Sequence, residues 1–145
     1  MFASILAAFD GSEGSESALR KAAELAKLCN AELVVLTLYR HHSVLEGSMY
    51  VLDVEKPDDM DEIMSTHAKE IAERGASIAR EMGCETIRAF VKGGPIARTI
   101  VSFSQEHGND LIVVGSRGLG SIEGYLLGSV SHKVTSMSDR PVLVV

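Results

Sequence analysis

Apolar positions along the chain change period several times, and those changes divide it into short elements. Phe2–Phe9 is a compact apolar run that reads as a first strand and ends at "DGSEGS", a stretch of turn and N-cap residues. From Ser15 the period becomes helical: Ala18, Ala22, Leu25, Ala26 and Cys29 share one face, Glu13 and Glu16 lie near its positive N-terminal end, and Asn30 suits a left-handed C-cap. Glu32–Tyr39, "ELVVLTLY", has the unbroken apolar centre of a strand buried on both faces of a parallel sheet. Ile63, His67, Ile71, Gly75, Ile78 and Met82 mark one stripe of a long helix that stops at Gly83, which places His67 among packed residues. Ile87, Ala89 and Val91 alternate as a third strand. After "KGGP", Pro95 suits the first turn of a helix carrying Ile96, Ile100 and Phe103 and closed by Gly108. "DLIVVG" is a fourth strand; a glycine-rich segment, a helix with Val130, Val134 and Met137, and a last strand Pro141–Val145, "PVLVV", complete the pattern.

Five strands alternating with four helices predict an α/β fold, a parallel doubly wound sheet with right-handed crossovers. Periodicity leaves two strand orders open, 3-2-1-4-5 and 2-1-3-4-5, and both keep the short last strand at an edge. No repeat or linker composition divides the chain, so a single domain over residues 1–145 is expected. The stretch Arg40–Asp58 has no period and is long for a loop in a compact domain, a length that usually accompanies function or mobility. Hydrophobic residues at 46% and charged residues at 23% describe a globule, and the net charge of −6 argues against non-specific nucleic-acid binding, which needs a basic face. Cys29 and Cys84 have no CxxC spacing and read as reduced residues in or near the core. The apolar start lacks a basic leader and meets Asp10 early, and no run approaches the ~20 residues of a membrane span. A cytoplasmic protein without a membrane partner is expected.

The glycine-rich segment is the stretch most suited to chemistry. It reads Gly115-Ser116-Arg117-Gly118, then nine residues, then Gly128-Ser129. Glycines admit positive φ and close backbone approach, so several N–H groups can point at one anion. Gly128-Ser129-Val130 opens a helix whose N-terminus carries unpaired donors and partial positive charge; Ser129 adds a hydroxyl, and Arg117 a charged fork. In a 3-2-1-4-5 sheet the winding direction switches between strands one and four, so Asp10 and Gly115 would face one crevice. The plainer reading of the same glycines is a turn followed by an N-cap serine. The P-loop pattern is absent, and "DGSEGS" stands where a G-x-G-x-x-G dinucleotide fingerprint would follow the first strand, which argues against NAD. Adjacent His41 and His42 point apart and suit a solvated loop; His107 sits in a helix's last turn; Glu55–Glu62 suits a loop and helix N-terminal turn. Glu123, His132 and Lys133 lie in or near the glycine segment but form no acid–base or nucleophile constellation, so no catalytic residue is assigned.

The spacing Gly115-x2-Gly118-x9-Gly128-Ser129, with Asp10 after the first strand and "PVLVV" at the end, resembles the ATP-binding branch of the universal stress protein family across the full chain. The resemblance implies the 3-2-1-4-5 order, ATP in the crevice and a homodimer. It implies that Asp10 holds the ribose hydroxyls, that the backbone near Leu38 meets the adenine, and that Gly115, Gly118, Gly128, Ser129 and Val130, with Ser116 and Arg117 in the same loop, line the phosphates. A divalent cation, Mg2+ or Mn2+, would accompany the nucleotide. The Arg40–Asp58 segment matches only a variable region of the family. The expected function is a nucleotide-dependent stress or signalling module acting on an unidentified protein partner. The alternatives are a slow ATPase or phosphotransferase using the same crevice and a dimeric scaffold with no nucleotide. An apolar terminal strand with no helix to cover its edge invites antiparallel pairing with a second copy about a two-fold axis.

Overall fold

The computed structural model describes residues 1–40, 57–117 and 127–145, with the side chains of residues 57–61 left aside. Its elements run β1 (Ser4–Ala8), α1 (Glu13–Cys29), β2 (Glu32–Tyr39), α2 (Pro57–Glu81), β3 (Ile87–Gly93), α3 (Ile96–His107), β4 (Leu111–Val114), α4 (Ser129–Met137) and β5 (Val142–Val144). The strands are all parallel and stand in the order β3-β2-β1-β4-β5, which decides between the two orders that periodicity left open. Ile5 of β1 sits opposite Leu33 of β2 on one side and Leu111 of β4 on the other.

Alternation along the central strands feeds two cores. Ile5, Ala7, Leu33, Val35, Leu111 and Val113 pack against α1 and α2 on one face of the sheet. Leu6, Val34, Leu36, Ile112 and Val114 pack on the other, against Ile100, Val101 and Phe103 of α3 and Val134 of α4. Both faces are therefore covered, as the apolar run in β2 requires.

The local signals for α1 hold at both ends. Ser12 is the N-cap, its hydroxyl accepting from the Ser15 N–H at 3.2 Å, and Asn30 takes the left-handed conformation at φ 54° and ψ 42°. Gly108 closes α3 in the same way at φ 67°. Pro95 is the N-cap of α3 and not a residue of its first turn: its backbone is extended, and its carbonyl accepts from Thr99 N–H at 3.0 Å and Thr99 Oγ1 at 2.6 Å.

The stripe expected on α2 holds at Ile71, Gly75, Ile78 and Met82 and fails at its start, at Ile63 and His67. Its buried residues include Ala68, Ala72, Ala76 and Ala79, whereas Ile63 is 55% exposed and His67 is exposed rather than packed. Small side chains let this helix lie close to the sheet. A Cβ on Gly75 would stand 2.9 Å from Phe9 Cδ2 and 3.0 Å from Val35 Cγ1, so only glycine fits there. The helix also starts at Pro57, earlier than the expected end of the preceding loop at Asp58. Residues 41–56 of that loop, with His41 and His42, lie outside the described residues. On α4, Met137 is 45% exposed and not part of the core face. Both cysteines are free and half-buried; burial pushes the Cys84 thiol up, with the Lys27 ammonium opposing. Among the described residues no helix is long and apolar enough to cross a membrane.

Candidate functional site

Because β1 and β4 are neighbours whose following helices lie on opposite faces, their carboxyl ends diverge and leave a crevice. Beyond β1 the chain is tightly pinned. Phe9 N–H donates to Leu36 O at 2.9 Å and Phe9 O accepts from Thr37 Oγ1 at 2.8 Å. Asp10 Oδ1 accepts from Ser12 N–H at 2.9 Å, and Asp10 N–H donates to Ser15 Oγ at 3.2 Å. Gly11 makes the turn possible at φ +85°, and Arg74 of α2 reaches its carbonyl at 3.4 Å while lying over the Phe9 ring.

Beyond β4 the backbone of Gly115 presses against the first turn of α1. A Cβ on Gly115 would stand 2.8 Å from both the carbonyl carbon and oxygen of Gly14, and one on Gly14 would meet Arg117 O at 2.2 Å. Two glycines are thus required by packing before any ligand is considered. Ser116 N–H donates to Val145 O at 2.7 Å, and Ser116 O accepts from Gly128 N–H and from Ser131 Oγ, the latter at 3.1 Å. These bonds set the start of α4 beside the end of β4; Gly118 lies outside the described residues.

Gly128 caps α4 with extended backbone and no side-chain hydrogen bond, and the first bond of the helix is His132 N–H to Gly128 O at 3.0 Å. The N–H groups of Ser129, Val130 and Ser131 therefore lack intrahelical acceptors. They border a cleft of about 780 Å3, a size suited to a small-molecule ligand. Ala8, Leu36, Leu38 and Val114 give it an apolar floor, and Ile96, Ile100 and Val130 an apolar wall. Asp10, Gly115, Ser116, Arg117, Gly128 and Ser129 complete the polar end, so every expected site residue except Gly118 lines this one space. An apolar chamber joined to open N–H donors and a guanidinium suits a ligand with a flat apolar part and an anionic part.

A profile of the universal stress protein family matches residues 1–145. The chain belongs to the universal stress protein family. It is 39% identical over 148 residues to the universal stress protein YxiE of Bacillus subtilis, covering 100% of this chain and 99% of that one. Among solved structures it superposes on the protein MJ0577 with a TM-score of 0.84 at 26% identity, covering 100% and 96% of the two chains. A universal stress protein solved in complex with cAMP matches with a TM-score of 0.74 at 30% identity over 99% of this chain and 97% of that one.

This family member carries cleft residues that its sequence pattern did not single out. Arg40 lines the cleft from just beyond β2 and Ser131 from α4, next to His132, which the sequence had already placed beside the glycine segment. Arg40 could have been found, since it follows a strand that neighbours the switch point. Ile96 and Ile100 read as core positions of α3 and serve also as cleft wall, a double duty invisible to periodicity. Lys133 does not line the cleft, and Glu123 lies outside the described residues. Among the described residues no group of three or more His, Cys, Asp or Glu side chains could hold a metal ion.

Proposed function

We propose that this chain is an adenine-nucleotide-binding module, with ATP as its ligand. The observation that carries this reading is the joining of an apolar chamber to the open N-terminus of α4 at the β1/β4 switch point. A family relative solved in complex with cAMP supports the adenine-nucleotide class. In this reading the backbone near Leu38 meets the adenine and Asp10 takes the ribose hydroxyls. Gly115, Ser116, Arg117, Gly118, Gly128, Ser129 and Val130 surround the phosphates. Among the described residues Asp10 is the one carboxylate lining the cleft, so an accompanying Mg2+ or Mn2+ would be held largely by phosphate oxygens and water, as Mg2+ commonly is. Residues 1–145 act as one domain. Since among the described residues β5 pairs with β4 alone, its other edge would serve for antiparallel pairing with a second copy. Sedimentation at micromolar concentration tests that pairing; deletion of Leu143–Val145 should weaken a dimer, and a monomeric full chain would reject it.

Calorimetric titration tests the nucleotide reading. Ser129→Ala removes a donor to a charged group and should cost ATP about 1.5–3 kcal/mol, roughly ten- to hundredfold, while sparing adenosine. Asp10→Ala acts through the ribose and should cost ATP and AMP alike. Absence of saturable binding by ATP, AMP and cAMP to the folded wild type would reject the reading. Slow ATP hydrolysis is a second reading, favoured by His132 on the cleft lining. A single-turnover assay that separates retained ATP from released ADP decides between them.

A further inference from the structure

A recess of about 280 Å3 lies between the first turn of α3 and the side of α4, from Ser129 to Met137, and continues from the cleft. The two spaces share Arg40, Ile96, Ser129 and Val130, so a single ligand can occupy both. Only the recess is lined by Arg98, from the first turn of α3, and by Lys133, one helical turn beyond Ser129 on α4. Three cationic side chains from three separate elements thus converge on one small space. Among the described residues none of the three takes part in an ion pair.

Helix electrostatics makes this arrangement unfavourable when nothing negative is bound. Helix N-termini favour acidic side chains. At the start of α1 the chain follows that preference, with Glu13 and Glu16 in the first turn. The first turns of α3 and α4 hold no acidic residue; Arg98 adds positive charge at the start of α3, and Lys133 adds it one turn into α4. The chain as a whole carries −6, so this local excess of positive charge runs against its composition. An anion in the recess would turn the mutual repulsion of these groups into attraction.

We infer that the recess is an anion subsite for the outer phosphates of a nucleoside polyphosphate whose base and sugar fill the cleft; this rests on the nucleotide reading above. Continuity at Ser129 favours such a ligand, because the first phosphate at the α4 N-terminus stands at the entrance to the recess. Arg98 and Lys133 then grade affinity by phosphate number. They set the preference for ATP over AMP without touching the base.

The test compares the wild type with the double variant Arg98→Gln/Lys133→Gln. Adenosine, AMP, ADP, ATP and inorganic tripolyphosphate are titrated calorimetrically at fixed salt without divalent cation. Both side chains are exposed, so melting curves of the two proteins should coincide. The double variant should bind ATP about tenfold more weakly, with AMP and adenosine changed by less than about twofold. Equal loss for ATP and AMP, or undiminished ATP affinity, overturns the inference. If the wild type binds no adenine compound, the nucleotide reading fails by itself, and tripolyphosphate judges the recess. Tripolyphosphate binding lost in the variant upholds the anion subsite, and binding equal in both proteins or absent from both overturns it.

Discussion

Two helix N-termini stand side by side at the carboxyl ends of the paired strands β1 and β4, and they are built in opposite ways. The start of α1 is closed. Ser12 caps it, Glu13 and Glu16 complement its dipole, and Gly14 brings its backbone against Gly115 and Arg117. The start of α4 is open: its cap is Gly128, among the described residues no side chain bonds to its donors, and no carboxylate occupies its first turn. The same backbone chemistry therefore stabilises the fold at one helix and is left available for a ligand at the other. A helix end becomes a site when its own sequence declines to satisfy it.

Substitutions that exchange these two characters test the contrast. Gly14→Val should have the largest effect, since its Cβ meets a backbone oxygen at 2.2 Å that cannot rotate away. A loss of about 3 kcal/mol is expected, with a melting temperature lower by roughly 10 °C. A melting curve unchanged by this variant would remove packing as the reason for glycine there. Gly128→Asp should convert the open end into a closed one. It adds a few tenths of a kcal/mol to stability by capping α4, yet lowers ATP affinity by about 2 kcal/mol by placing a carboxylate among the donors. Calorimetry showing equal or tighter ATP binding would reject the open-end role. Ser12→Ala removes the cap of α1 and should cost about 1 kcal/mol in denaturant unfolding, with ATP affinity nearly constant because the Ser12 N–H remains to hold Asp10. Smallest is Glu13→Gln, a few tenths of a kcal/mol at low ionic strength that high salt should abolish. An effect that persists in salt would mean that Glu13 acts by something other than the helix dipole.

The closed end was more legible in the sequence than the open one. Ser12, Glu13, Glu16 and Asn30 act on their own turns of backbone, so their types and spacing suffice to place both ends of α1. Strand order depends on contacts between distant segments, and periodicity left it undecided; the resemblance carried by Gly115, Gly128 and Ser129 supplied it. On α2 the stripe was right at Ile71, Gly75, Ile78 and Met82 but not at Ile63 and His67, which fit the helical period yet are exposed, and it missed the small residues Ala68, Ala72, Ala76 and Ala79 that the packing also buries. The role of Gly14 is a close approach between chain segments far apart in sequence, and no local pattern announces it. Of the cleft's polar lining, Asp10, Gly115, Ser116, Arg117, Gly128 and Ser129 were anticipated, while Arg40, Ser15 and Ser131 were not. Of its apolar lining only Leu38 and Val130 were anticipated, because Ile96 and Ile100 look like any other core residues.

The bonds around Ser116 have a consequence for motion. Val145 N–H donates to Val114 O, Val145 O accepts from Ser116 N–H, and Ser116 O in turn holds Gly128 N–H and Ser131 Oγ. The edge strand and the start of α4 are therefore links of one chain of hydrogen bonds. Detaching β5 takes the acceptor from Ser116 and loosens the residue to which Gly128 is tied. The amides of Ser116 and Gly128 should exchange with solvent in step with those of β5. Linkage is reciprocal: whatever grips the first turn of α4 slows the fraying of the sheet's edge, and whatever covers that edge steadies the helix end by the same free energy.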